Sequence, residues 1–333
     1  DASSNTDTCS ATVTVLDTIA PTAICQDVTI QLDATGNASI STTDIDNGST
    51  DNCSFTLSLD QTSFDCTMVG ANTVTLTVTD ASGNASTCTA TVTVEDSIAP
   101  TALCQDVTIQ LDASGNASIT TADIDNGSTD NCSFTLSLDQ TGFDCTMVGA
   151  NTVTLTVTDA SGNASTCTAT VTVEDSLAPT ALCQDITIQL DAAGHGSITT
   201  GDIDNGSTDN CGIQSLALDQ TAFDCTMIGA NSVILTVTDV NGNASTCTGT
   251  VTVEDSVAPT ALCQDITLVL DASGTANILA DSIDNNSTDN CDIDTIMVDP
   301  GSFDCTNIGV NIVTLTVVDV SGNSSTCTAN VTV

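Results

Sequence analysis

Apolar and polar residues alternate with a period of two through most of the chain. In residues 17–95 the alternation runs over 27–33, 37–41, 55–59, 73–79 and 89–94. Such a pattern puts one face of a strand in a core and the other in water. Gly, Asn and Asp punctuate these runs at 33–37, 46–48, 69–72 and 80–84, where a turn needs residues that tolerate positive φ. A further short strand is expected near 64–67, and residues 42–45 allow a single helical turn. The elements predict an all-β, two-sheet sandwich of immunoglobulin-like (Ig-like) type.

The same pattern returns three times. The segment APTAICQD at Ala20 recurs as APTALCQD at Ala99, Ala178 and Ala258. Residues 17–95 and 96–174 differ at only six positions, among them Thr18/Ser97 and Ile24/Leu103, so the first two copies are interchangeable modules. The expected organisation is a strand remnant of an upstream repeat at 1–16, then repeats at 17–95, 96–174, 175–254 and 255–333, arranged as an extended array.

Each repeat carries four cysteines, Cys25, Cys53, Cys66 and Cys88 in the first, and Cys9 is left over from a total of 17. With no C-x-x-C pair and one His, zinc and redox motifs are poor readings, and a disulfide framework in an oxidising, extracellular compartment is expected. A core of about 80 residues without Trp or Tyr is thin and needs such staples. Four cysteines allow three pairings. An Ig-like strand order brings the first and last strands to one pole, which favours Cys25–Cys88 and leaves Cys53–Cys66. The corresponding expectations are Cys104–Cys167 with Cys132–Cys145, Cys183–Cys247 with Cys211–Cys225, and Cys263–Cys327 with Cys291–Cys305.

Lys and Arg are absent and Asp plus Glu number 43. The surface therefore repels phosphate backbones and anionic headgroups, which excludes nucleic acid and peripheral membrane binding. No apolar run approaches the length of a membrane span, so no membrane insertion is expected of this segment. Catalysis lacks its usual parts, since there is no Lys, Arg or Tyr and His195 does not recur to serve a nucleophile as base. Met68, Met147 and Met227 recur after a cysteine and read as core packing.

The run from Asn72, NTVTLTVTDASGNASTCTATVTV, preceded by TDNC at Thr50 and SFDCTMVG at Ser63, resembles a hyalin repeat, an Ig-like module. Hyalin repeats place Cys-Pro at the first cysteine, whereas here it is Cys25-Gln26. With its APTAxCQD head, the unit resembles the tandem repeats of giant surface proteins of gliding, Bacteroidetes-type bacteria, over the whole chain. That resemblance implies a secreted cell-surface adhesin or appendage, exported by a type IX route, serving attachment, gliding or prey capture, with a host, prey or substratum surface as partner. Asp followed by Ser or Thr and an aliphatic residue looks like the O-glycosylation signal of those bacteria, at Thr18, Ser97, Ser176 and Ser256.

The densest acidic segment is TTDIDNGSTDNC, whose oxygen ligands two residues apart around a turn suit a hard cation such as Ca2+. In an Ig-like order this loop shares a pole with the turn 80–84 and with the linker at Asp17. The expected ligands are Asp46, Asp51 and Asp80, then Asp125, Asp130 and Asp159, Asp204, Asp209 and Asp239, and Asp284, Asp289 and Asp319. The resulting expectation is a structural stalk or filament segment, stiffened by calcium and able to assemble with other copies into a homo-oligomeric cable. In the alternative, each repeat is a glycan- or protein-binding module acting by avidity.

Overall fold

The computed structural model describes residues 2–333. The chain is all-β and forms four tandem Ig-like sandwiches. In the first repeat the elements are β1 (Val28–Gln31), β2 (Asn37–Ser39), α1 (Thr42–Ile45), β3 (Phe55–Leu59), β4 (Ser63–Asp65), β5 (Gly70–Asp80) and β6 (Ala85–Glu95), with a short 3-10 turn at Cys66–Met68 after β4. One sheet has the order β1-β6-β5-β3 and the other pairs β2 with β4. β1 runs parallel to β6, with Val28 opposite Val92 and Gln31 opposite Glu95, and the other neighbours are antiparallel. Isolated bridges Thr22–Thr50 and Cys25–Asp46 extend the smaller layer.

The alternation explains the core. On β5, Val74, Leu76 and Val78 point inward and are fully buried, and the Thr residues between them point outward. β-branched Thr favours the strand while leaving the outer face polar. Phe64, Ile45, Val92 and Val94 close the interior. β5 and β6 are longer than the alternation predicts, because the ladder Gly70–Val94 to Thr79–Ala85 carries polar and small residues that hydropathy alone does not mark. α1 is the expected single turn, closed by a capping box in which the Asp44 carboxylate accepts from the Ser41 N–H at 2.7 Å and the Ser41 hydroxyl at 2.6 Å. Residues 5–16 alternate like a strand but form none, since a strand needs a neighbour to complete its ladder.

The residues fall into two compact units. The first comprises Asp1–Gln110 with Asn116–Glu174, and the second Leu111–Gly115 with Asp175–Val333. The third and fourth repeats build their own four-stranded sheets within the second unit, of the same order as the first.

Disulfides join Cys25–Cys88, Cys104–Cys167, Cys183–Cys247 and Cys263–Cys327, each bridging the start of its repeat to the last strand. The second set of bonds differs from the sequence expectation. Cys66 bonds Cys132, not Cys53, and Cys225 bonds Cys291, not Cys211. Cys132–Cys145 and Cys291–Cys305 are likewise not formed, and Cys53 and Cys305 are free and exposed, as is Cys9. Cys145 and Cys211 are disulfide-bonded. The reason is the run of β3, which leads from Cys53 toward the opposite pole, with β4 continuing the same way. Five residues of strand advance about 16 Å, far beyond the roughly 7 Å that a disulfide spans between Cα atoms. The bond reaches across sequential repeats instead, and Cys132 packs against the first repeat's core.

Candidate metal centre

The inward register of two strands builds the site. Beyond Val74, Leu76 and Val78 the next inward position of β5 is Asp80, and its counterparts are Asp159, Asp239 and Asp319, all buried. Beyond Val92 and Val94 the next inward position of β6 is Asp96, only 8% exposed, and its counterparts Asp175 and Asp255 are 8% and 7% exposed. β5 ends where a repeat begins and β6 ends where the next begins, so Asp96 and Asp159 meet. The loop before the third strand adds Asp130. Among the described residues three such trios occur, Asp96–Asp130–Asp159, Asp175–Asp209–Asp239 and Asp255–Asp289–Asp319, each offering oxygens within 4.8 Å of one another.

Hydrogen bonds hold the first trio in place. The Asp159 carboxylate accepts from the Asn163 backbone N–H at 2.7 Å and from its side-chain amide at 2.8 Å. This short return is made by Gly162 at φ 94°, a conformation that favours glycine. The Asn163 amide also donates to the Asp96 carbonyl at 3.0 Å. Asn131 donates to Asp96 Oδ1 at 3.2 Å and to the Asp33 carbonyl at 3.3 Å, tying the junction to both repeats. Asp130 Oδ2 accepts from the Cys132 N–H at 3.0 Å. In the second unit the Asn243 and Asn323 amides donate in the same manner to the carbonyls of Asp175 and Asp255, at 3.1 and 3.0 Å.

Three oxygens at that centre are buried with no hydrogen-bond partner, Asp96 Oδ2, Asp130 Oδ1 and Asn131 Oδ1. The same holds for Asp255 Oδ2, Asp289 Oδ1 and Asn290 Oδ1. Two carboxylates at about 4.8 Å repel by roughly 3 kcal/mol at an effective dielectric of 20, and the chain has no Lys or Arg to offset this. An all-oxygen, carboxylate-rich donor set with orphaned lone pairs fits a hard divalent cation of the calcium type, which takes six to eight oxygens. Zinc and copper favour nitrogen and sulfur, which these trios lack.

The sequence-predicted ligands divide. Asp130, Asp159, Asp209, Asp239, Asp289 and Asp319 lie in the trios. Asp46, Asp125, Asp204 and Asp284 do not. Each turns its Oδ1 to the backbone N–H of the Ser three residues on, at 3.0–3.1 Å, and closes a turn. The hydroxyl of Ser49, with the neighbouring N–H groups and against the opposing effect of burial, leaves Asp46 below its ordinary pKa. Asp96, Asp175 and Asp255 were not among the predicted ligands. Their signal was the linker acid one inward step beyond the Val-x-Val of the last strand.

At the first repeat the arrangement is looser. Asp17 and Asp51 approach Cys53, the Asn52 amide donates to Asp17 Oδ2 at 3.1 Å and the Asn84 amide to the Asp17 carbonyl at 3.0 Å. Asp80 stands beside them, its pKa lowered first by the Asn84 side chain. The Cys53 thiol is pushed up, first by its hydrogen bond to Asp17, then by burial and the surrounding carboxylates. The linker hydroxyls Thr18, Ser97, Ser176 and Ser256 are exposed, and the Ser97 hydroxyl donates to Gln31 Oε1 at 3.0 Å. His195 is an exposed residue of a short strand, and Met68 packs half-buried against the core. No helix among the described residues is long and apolar enough to cross a membrane.

The fold defines the class as tandem Ig-like sandwich repeats. No family model matches the chain. A curated relative is hyalin of Strongylocentrotus purpuratus, 30% identical over 282 residues, which span 79% of this chain and 23% of hyalin. The chain therefore spans about a quarter of that relative's length. Among solved structures it is similar to the protocadherin gammaB4 extracellular domain, with 15% identity, a TM-score of 0.31 and coverage of 94% of this chain and 67% of that one. Drosophila N-cadherin EC1-4 matches with 12% identity, a TM-score of 0.30 and coverage of 92% and 99%.

Proposed function

We propose that this chain is a structural segment of an extracellular adhesion protein, whose repeats 17–95, 96–174, 175–254 and 255–333 bind Ca2+ at their junctions. The observation that carries this reading is the buried carboxylate trio with orphaned oxygens, recurring as Asp96–Asp130–Asp159, Asp175–Asp209–Asp239 and Asp255–Asp289–Asp319. Within each unit, Ca2+ bridging an acid of the linker, one of the loop and one of the strand exit fixes one sandwich on the next. The similarity to hyalin and the disulfide-rich composition support an extracellular setting. Service as a stalk in bacterial attachment or gliding, and glycans on Thr18, Ser97, Ser176 and Ser256, belong to the same proposal. The resemblance of the APTAxCQD unit to such repeats supports the first, and the exposure of these hydroxyls the second.

Thermal unfolding in millimolar Ca2+ and in chelator tests the reading. A site filled at about 100 times its Kd stabilises by roughly 2.7 kcal/mol, so the transition rises with Ca2+. Isothermal titration is expected to show that Asp96→Asn together with Asp130→Asn removes one class of sites. An unchanged transition in Ca2+ and chelator would overturn the assignment.

A further inference from the structure

The loop that carries two of the buried oxygens ends in the cysteine that ties one repeat to the next. At the first junction Asp130 and Asn131 come directly before Cys132, which bonds Cys66 of the preceding repeat. The Cys132 N–H donates to Asp130 Oδ2 at 3.0 Å, which leaves Oδ1 buried and unpartnered. The Asn131 amide donates to Asp96 Oδ1 at 3.2 Å and to the Asp33 carbonyl at 3.3 Å, and its own Oδ1 is left in the same state. The Asn131 carbonyl oxygen lies 3.5 Å from Cys66 Sγ. Bridge and oxygens are thus built from consecutive residues, 130–132. They pack against the turn 33–36 on one side and, on the other, against the linker acid Asp96, buried with Oδ2 unpartnered.

A second junction repeats the plan. Cys291 follows Asp289 and Asn290 and bonds Cys225. Its N–H donates to Asp289 Oδ2 at 2.9 Å, and the Asn290 amide donates to Asp255 Oδ1 at 3.1 Å and to the Asp191 carbonyl at 3.2 Å. The Asn290 carbonyl lies 3.5 Å from Cys225 Sγ. Asp255 Oδ2, Asp289 Oδ1 and Asn290 Oδ1 are again buried without partners.

Oxidation and cation binding therefore order the same three residues. The bridge fixes 130–132 against the first repeat, so that a cation meets Asp130 already beside Asp96 and Asp159, with little ordering entropy left to lose. A bound cation in turn offsets the repulsion of the three carboxylates, which no Lys or Arg of the chain relieves, and so keeps Cys132 beside Cys66. The coupling has one sign in both directions, and linkage requires equal magnitude.

We propose that the Cys66–Cys132 and Cys225–Cys291 bonds are redox regulators of the cation sites at their junctions: oxidation tightens Ca2+ binding, and Ca2+ protects the bond from reduction. Reduction takes two electrons and two protons from two molecules of a small thiol such as glutathione, which leave as its disulfide. The junction sets most firmly where the medium is both oxidising and rich in Ca2+. This regulation rests on the Ca2+ reading above.

The test uses the full chain with Cys9→Ser, Cys53→Ser and Cys305→Ser, equilibrated across a series of glutathione buffers at one pH, in Ca2+ and in chelator. Alkylation, cleavage at acidic residues and mass spectrometry read the reduced fraction of each bond. In Ca2+ the ratio [GSH]²/[GSSG] that half-reduces Cys66–Cys132 and Cys225–Cys291 is expected to rise about tenfold or more, equivalent to about 30 mV. Cys25–Cys88, whose cysteines adjoin no trio residue, is expected to shift less. Asp96→Asn with Asp130→Asn is expected to remove the Ca2+ effect at Cys66–Cys132 and leave it at Cys225–Cys291. Isothermal titration of Cys66→Ser with Cys132→Ser is expected to show one class of sites weakened by a similar factor. Midpoints that do not move although titration shows Ca2+ bound, or a shift just as large at Cys25–Cys88, would overturn the regulation and leave the Ca2+ reading standing. Absence of any Ca2+ binding by titration would sink both.

Discussion

At the residue scale, one glycine and a set of capped aspartates govern the junctions. Gly36 has φ 76°, and a Cβ there would lie 2.6 Å from Asn131 O and 2.7 Å from Cys66 Sγ. Gly36→Ala is therefore expected to cost more than about 1 kcal/mol and to slow formation of Cys66–Cys132, read by thiol alkylation during oxidative refolding. Asp33, Asp44 and Asp65 are held below the ordinary carboxylate range, chiefly by the hydroxyls of Thr35, Ser41 and Thr67 respectively. A lowered folded pKa stabilises fully above the unfolded value near 4 and is lost as pH falls through the folded value. In chelator and high salt, which screens self-repulsion, the melting temperature is expected to fall as pH drops from 5 to 2. A rise would mean that repulsion among uncompensated carboxylates outweighs the capped turns. Of the acidic trio at the first junction, Asp130 and Asp159 were legible because dense Asp and Asn loops attract attention. Asp96 was not, because its burial comes from the inward register of β6 and not from local acidity.

At the scale of elements, period-two alternation and turn residues specified the strands and α1 almost completely. Their ends were less visible, since Gly70–Asn72 and Ala85–Thr87 pair through backbone groups and carry no hydrophobic signal. Pairing of cysteines was legible only where it joins the first and last strands of one repeat. For the other bond, sequence cannot separate a repeat's own cysteine from its near-identical neighbour's, and only the course of β3 decides between them. Leu76 is fully buried on β5, between Leu59 on β3 and Cys88 on β6. Leu76→Ala is expected to destabilise its repeat by about 2–5 kcal/mol, measured by denaturant unfolding. Replacing Cys25 and Cys88 together by Ala releases a loop of sequence separation 63, worth about 4 kcal/mol by chain entropy. The first repeat is then expected to unfold separately from the rest, read by hydrogen exchange.

At the scale of the molecule, the covalent pattern has a consequence for a chain under tension. A load entering at Cys25 crosses the sulfur bridge to Cys88 and leaves along residues 89–103 to Cys104, where the next bridge takes it. Residues 26–87 hang beside that route as an unloaded loop, even when their sheets are torn apart. Only the short span between bridges can be drawn out, about 50 Å at 3.3–3.6 Å per residue, whereas an unbridged repeat of this length would release well over 200 Å. A chain so wired is close to inextensible while oxidised and becomes compliant once its bridges are reduced.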